Sequence, residues 1–108
     1  MNTTIAILLA AGKSERFGGD LPKPFLNLNG KSIYRYSLDV FLSNPKIDAV
    51  LLVVPQEFLS SERARLEKEI FPKPILVIAG GVSRFDSVHK ALHQLDESTK
   101  KIIIHDAA

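Results

Sequence analysis

The chain has 108 residues, 45% hydrophobic and 24% charged, with a net charge of +2 and neither cysteine nor tryptophan. That size supports one domain or part of one. The weak net charge, with no basic tract interleaved with aromatics, argues against a nucleic-acid partner, and the lack of cysteine excludes a disulfide framework and agrees with a reducing cytoplasm. No apolar run approaches the roughly 18 residues of a membrane span, and no basic segment precedes the first one, so neither a membrane protein nor a signal peptide is expected.

In chain order, the first element is an apolar run at residues 5–10, which empties into a small-residue loop through Ala10, Ala11 and Gly12. The loop carries Arg16, and Lys23 follows between Pro22 and Pro24. Small residues let backbone N–H groups approach anionic oxygens, two cations can neutralise a polyphosphate, and the flanking prolines stiffen the backbone that aims Lys23. This is the outline of a nucleoside triphosphate site. It is not a P-loop: Gly30-Lys31-Ser32 has the tail of that motif, but Phe25 stands where its first glycine belongs. A dinucleotide G-x-G-x-x-G is also missing after the first strand.

A helix is predicted over 32–42, with Ile33, Ser37, Val40 and Phe41 along one side and Asn44-Pro45 closing it. The apolar run at 49–54 reads as a second strand. A weakly amphipathic helix over 58–71 would place Leu59, Leu66 and Ile70 inward and stop at Pro72. A third strand, 75–79, leads into Gly80-Gly81-Val82 and a helix over 83–95 whose Val88, Ala91, Leu92 and Leu95 recur at helical spacing. Ser83 to Asp86 reads as a capping box. The fourth run, 101–105, reads as a buried strand ending in His105-Asp106-Ala107-Ala108. A chain that stops at such a strand suggests a truncated domain.

Continuous rather than alternating apolar runs suit strands covered on both faces, and their alternation with helices implies βαβ units: an α/β, Rossmann-like, mostly parallel sheet with flanking helices. Ligands of such sheets bind beyond the carboxyl ends of the strands. The loop after Ala10, Gly80-Gly81 and Asp106 would all lie there. Asp106, a carboxylate at the end of an apolar strand, suits Mg²⁺ held mainly by phosphates and water. His89 and His93, four apart on a helix, lack the glutamate of a zinc-protease helix and flank the apolar stripe, so they read as solvated. With no cysteine nucleophile and no Ser-His-Asp set, phosphoryl or nucleotidyl transfer fits best, since it needs positioning and charge neutralisation above acid–base groups.

The opening loop, Pro22-Lys23-Pro24-Phe25-Leu26, the stretch Gly80 to Val88 and the closing His105-Asp106-Ala107-Ala108 together resemble the 2-C-methyl-D-erythritol 4-phosphate cytidylyltransferase family, across the whole chain and in order. The resemblance implies a nucleotidyltransferase fold of the GT-A type, with residues 1–108 forming the nucleotide-binding part of a single cytidylyltransferase domain. It implies transfer of CMP from CTP to methylerythritol phosphate in isoprenoid biosynthesis, with a divalent cation and a homodimeric full-length protein. Ala10, Ala11 and Gly12 would line the CTP, and Arg16 and Lys23 would stabilise the transition state. Gly80, Gly81, Val82 and Ser87 would recognise cytosine, Asp106 would hold Mg²⁺, and Ala107 would lie against the ribose. Pro24, Ser14 and Phe17 depart from the family's usual Gln, Gly and Met, and Glu15 adds an anion near the triphosphate. A ribitol-5-phosphate cytidylyltransferase and an inactive nucleotide-binding module are the alternatives. A fragment without the acceptor half is expected to be nearly inactive.

Overall fold

The structure, a computed structural model, describes residues 3–11 and 23–107. In chain order the elements are β1 (Thr3–Leu9), β2 (Asn27–Leu28), β3 (Lys31–Ser32), α1 (Ile33–Ser43), β4 (Ala49–Val54), α2 (Leu59–Glu67), β5 (Ile75–Ala79), α3 (Arg84–Leu92) and β6 (Thr99–Asp106). Single turns of 3₁₀ helix at Lys23–Phe25 and Gln56–Phe58 complete the path.

Four strands form a parallel sheet in the order β5-β4-β1-β6. The chain steps outward from β1 to β4 to β5, then crosses back to lay β6 on the far side of β1. The strand order therefore reverses between β1 and β6, the place where such sheets open a crevice at their carboxyl edge. This matches the α/β expectation.

The pleat sorts the apolar residues into two layers. Ala6, Leu8 and Ala10 of the first strand and its extension join Val50, Leu52, Val54 and Val77 beneath Tyr34, Leu38, Leu42 and Leu66 of α1 and α2. Ile7 and Leu9 face the other way, with Leu51, Val53 and Ala91 of α3. Each fully buried Val, Leu or Ile contributes about 1.5–3 kcal/mol relative to exposure, and β1 and β4 supply most of them. The sheet's centre is thus held from both sides.

Several boundaries and faces differ from the sequence reading. The buried side of α1 is Tyr34, Leu38 and Leu42, whereas Val40 is exposed. Tyr34 reads as polar, but its hydroxyl donates to Glu62 Oε1 at 2.5 Å inside the core, so the ring can be buried. Helix α2 ends at Glu67, well before Pro72, and Ile70 is fully exposed. Helix α3 ends at Leu92. The largest correction is β6. Among the described residues it pairs only with β1, and Ile102, Ile103 and Ile104 remain 43, 39 and 40% exposed. Apolar composition does not distinguish a central strand from one with a single neighbour.

Gly30-Lys31-Ser32, the tail of an apparent phosphate loop, forms a hairpin instead. Asn29 and Gly30 take left-handed backbone angles, φ 54° and 86°, as an Asn-Gly turn between antiparallel β2 and β3 requires. Among the described residues no helix is long and apolar enough to cross a membrane.

Candidate active site

Three segments reach the carboxyl edge of the sheet, each tied by a backbone bond to a neighbouring strand. The Ala10 N–H donates to Val53 O at 2.7 Å, the Gly80 N–H to Val54 O at 2.8 Å, and the Ala107 N–H to Leu9 O at 2.9 Å. Ala10, Ala11, Gly80, Gly81, Val82, Asp106 and Ala107 therefore gather at the edge that the sequence indicates. Gly12 and Arg16 lie outside the described residues.

Gly80 is where two of these segments touch. A Cβ built there would lie 2.5 Å from both Ala11 Cβ and Ser87 Oγ, and 3.1 Å from Val53 Cγ1. These partners are short, so none can swing aside: glycine is required by close approach, not by an unusual φ. At Gly81 a Cβ would overlap Asp86 Cβ at the start of α3.

Helix α3 is fastened beneath this turn. Ser83 caps it, its Oγ accepting from the Asp86 N–H at 3.1 Å and donating to Asp86 Oδ2 at 3.1 Å; this is the N-cap half of the expected capping box, with Asp86 returning to the Ser83 hydroxyl rather than to its backbone N–H. Ser87, with no exposed surface, accepts the Gly81 N–H on its hydroxyl at 3.1 Å. Lys90 Nζ donates to Gly80 O at 3.3 Å. The Gly80–Gly81 backbone is thus braced from below, with Val82 exposed at its tip.

Asp106 ends β6, beside Leu9 in register, and is not braced in this way. Arg84 Nε donates to its Oδ1 at 3.1 Å and approaches Oδ2 at 3.4 Å; the two side chains are 60 and 55% exposed. Arg84 is thus a surface residue of the first turn of α3 that also reaches a carboxylate. The available signal was its place just after the Ser83 cap, at the edge where Asp106 also ends. Next to it, His105 sits on the opposite face, 3.5 Å from Ser37 Oγ and edge-on to Phe41.

Lys23 is exposed, whereas the two residues that follow it are not. Pro24 is buried, and Phe25 stacks on Phe58 (centroids 4.6 Å apart, planes at 16°) and tilts against Tyr34 at 5.5 Å. Burial and the Glu62 carboxylate push the Tyr34 hydroxyl above its ordinary range, so it stays a protonated donor. Phe25 shares a buried cluster with Ala10 and Ala107, which anchors the Lys23 turn to the same edge as Asp106.

Among the described residues no cluster of three or more His, Cys, Asp or Glu could cage a metal unaided. Asp106, an exposed carboxylate, nevertheless fits Mg²⁺, which takes one or two carboxylates and completes its shell with phosphates and water. Arg84 would have to release Asp106 for that purpose.

The model of the 2-C-methyl-D-erythritol 4-phosphate cytidylyltransferase family matches residues 4–108. Among relatives, the enzyme of that name from Caldicellulosiruptor bescii is 46% identical over 105 residues, covering 97% of this chain and 46% of its own. The one from Lachnospira eligens is 38% identical over 108 residues, covering 100% and 46%. The crystal structure of the Francisella tularensis enzyme is 33% identical, with a TM-score of 0.70, covering 99% of this chain and 45% of its own. The chain thus spans about half the length of the curated relatives it matches. On this match, extending over nearly every residue, the chain belongs to the 2-C-methyl-D-erythritol 4-phosphate cytidylyltransferase family.

Proposed function

We propose that the protein, in its complete form, is a Mg²⁺-dependent cytidylyltransferase that joins CTP and 2-C-methyl-D-erythritol 4-phosphate. A phosphate oxygen of the acceptor attacks the α-phosphorus of CTP as the bond to the β-phosphate oxygen breaks. The products are 4-diphosphocytidyl-2-C-methyl-D-erythritol and pyrophosphate. The observation that carries this reading is the braced Gly80–Gly81 turn beside Ala10 and Ala107, with Asp106 at the same edge, in a chain of this family.

In this reading the backbone of Gly80, Gly81 and Val82 offers N–H and C=O groups to the cytosine. Ser87 holds that backbone in place through Gly81. Ala10, Ala11 and Gly12 leave room for the nucleotide, and Ala107 packs against the ribose. Lys23 and Arg16 sit at the triphosphate and stabilise the charge that grows in the transition state. Asp106 would hold Mg²⁺, which when bound offsets phosphate charge and orients the leaving pyrophosphate. The complete protein is taken to be a cytoplasmic homodimer, and residues 1–108 alone to turn over little.

The test is pyrophosphate release by the complete protein supplied with CTP and Mg²⁺. Methylerythritol 4-phosphate should support release and ribitol 5-phosphate should not. Release with ribitol phosphate alone would move the acceptor assignment, and CTP binding with no release from either would reduce the protein to a binding module.

A further inference from the structure

The exposed side of α3 carries a second feature. His89 and His93 lie one turn apart, and their Nε2 atoms are 3.2 Å from each other, with ring planes at 89°. His89 is also steadied by Phe85, whose ring lies nearly parallel to it at 6.1 Å. Lys90, the charge between them in sequence, is drawn away to Gly80 O.

That separation matches a chelating bite. Two Zn–N bonds of about 2.0–2.1 Å, opened between about 90° and 109°, hold their nitrogens about 2.9–3.4 Å apart. The two nitrogens already meet in a hydrogen bond that a bridging ion would replace, and both side chains stand in solvent, so no buried charge is created. We propose that His89 and His93 form a binding site for a nitrogen-preferring divalent transition-metal cation, Zn²⁺ being the probe of choice. Its remaining positions are filled by water. Imidazole donors suit Zn²⁺, Cu²⁺ and Ni²⁺, whereas Mg²⁺ keeps to oxygen, so this site and Asp106 take different ions.

The experiment is calorimetric titration of the complete protein with ZnCl₂ in excess Mg²⁺ at neutral pH. One Zn²⁺ per chain is expected. Removing even an outer-shell partner of a metal ligand costs about 10-fold or more in affinity, so His89→Gln and His93→Gln should each weaken binding by at least about tenfold. Asp106→Asn should leave it unchanged. Both histidines are exposed, and far-UV circular dichroism verifies that the variants fold. Absence of saturable binding, or binding that survives both His→Gln changes, overturns the proposal; loss on Asp106→Asn alone would move the zinc to the sheet edge and overturn it equally.

Discussion

The two flanks of the candidate site are built differently. On the α3 flank, the Gly80–Gly81 turn is pressed between Ala11, Ser87 and Asp86, and its two N–H groups donate to buried partners, Val54 O and Ser87 Oγ. On the β6 flank, among the described residues, Asp106 is held by the exposed Arg84. The first arrangement cannot move without repacking. The second is a solvent-exposed ion pair of a kind that contributes little to stability and is easily exchanged. Under the proposed function, the fixed backbone groups would read the neutral base and the exchangeable ion pair would give way to a metal–phosphate group.

Substitutions should separate the flanks. The largest effect is expected from Gly80→Ala in the complete protein. The added methyl overpacks a closed site and should cost about 1–3 kcal/mol in urea unfolding, with weaker CTP binding. Ala11→Gly in the same chain should recover part of both losses, because it removes one of the two closest clashes. Tyr34→Phe comes next. It leaves Oε1 of the buried Glu62 without its donor, with Arg65 still 3.7 Å from Oε2, at a cost of about 1–3 kcal/mol read from the unfolding midpoint, and it loosens the Phe25 anchor of the Lys23 turn.

Ser87→Ala is expected to be milder, about 0.5–1.5 kcal/mol, since it removes one acceptor from the Gly81 N–H. If Ser87 acts by holding that turn, CTP affinity should fall along with stability; unchanged stability with lost affinity would instead mean direct contact with the base. Arg84→Ala should be the smallest in stability, within about 0.5 kcal/mol. It should lower the Mg²⁺ concentration needed for half-maximal CTP binding, because a competing cation has left Asp106. Measured by CTP titration at fixed Mg²⁺ steps, an unchanged or raised requirement would contradict the exchange role.

The sequence was informative where a local pattern has one structural meaning. Residues 49–54 and 75–79 form strands with the bounds expected, and the Ser83 cap places the start of α3 within a residue. The convergence of Ala10, Gly80 and Asp106 followed from the βαβ order alone. What stayed hidden depends on contacts distant in sequence. Arg84 and Asp106 are 22 residues apart, and Tyr34 and Glu62 are 28 apart. The exposure of β6 among the described residues is not legible in its isoleucine run, which looks the same beside one strand or two. Ser87 is singled out only by the family resemblance, and only the fold shows its hydroxyl engaged beneath Gly81.

The most direct test of this division is ¹⁵N NMR of the complete protein, following the Gly80 and Gly81 amides and the Arg84 Nε–H. Cytidine monophosphate should shift the glycine amides and leave Arg84 in place, whereas CTP with Mg²⁺ should shift all three as Asp106 is released. Saturable CTP binding that leaves Gly80, Gly81 and Arg84 unmoved would contradict the account.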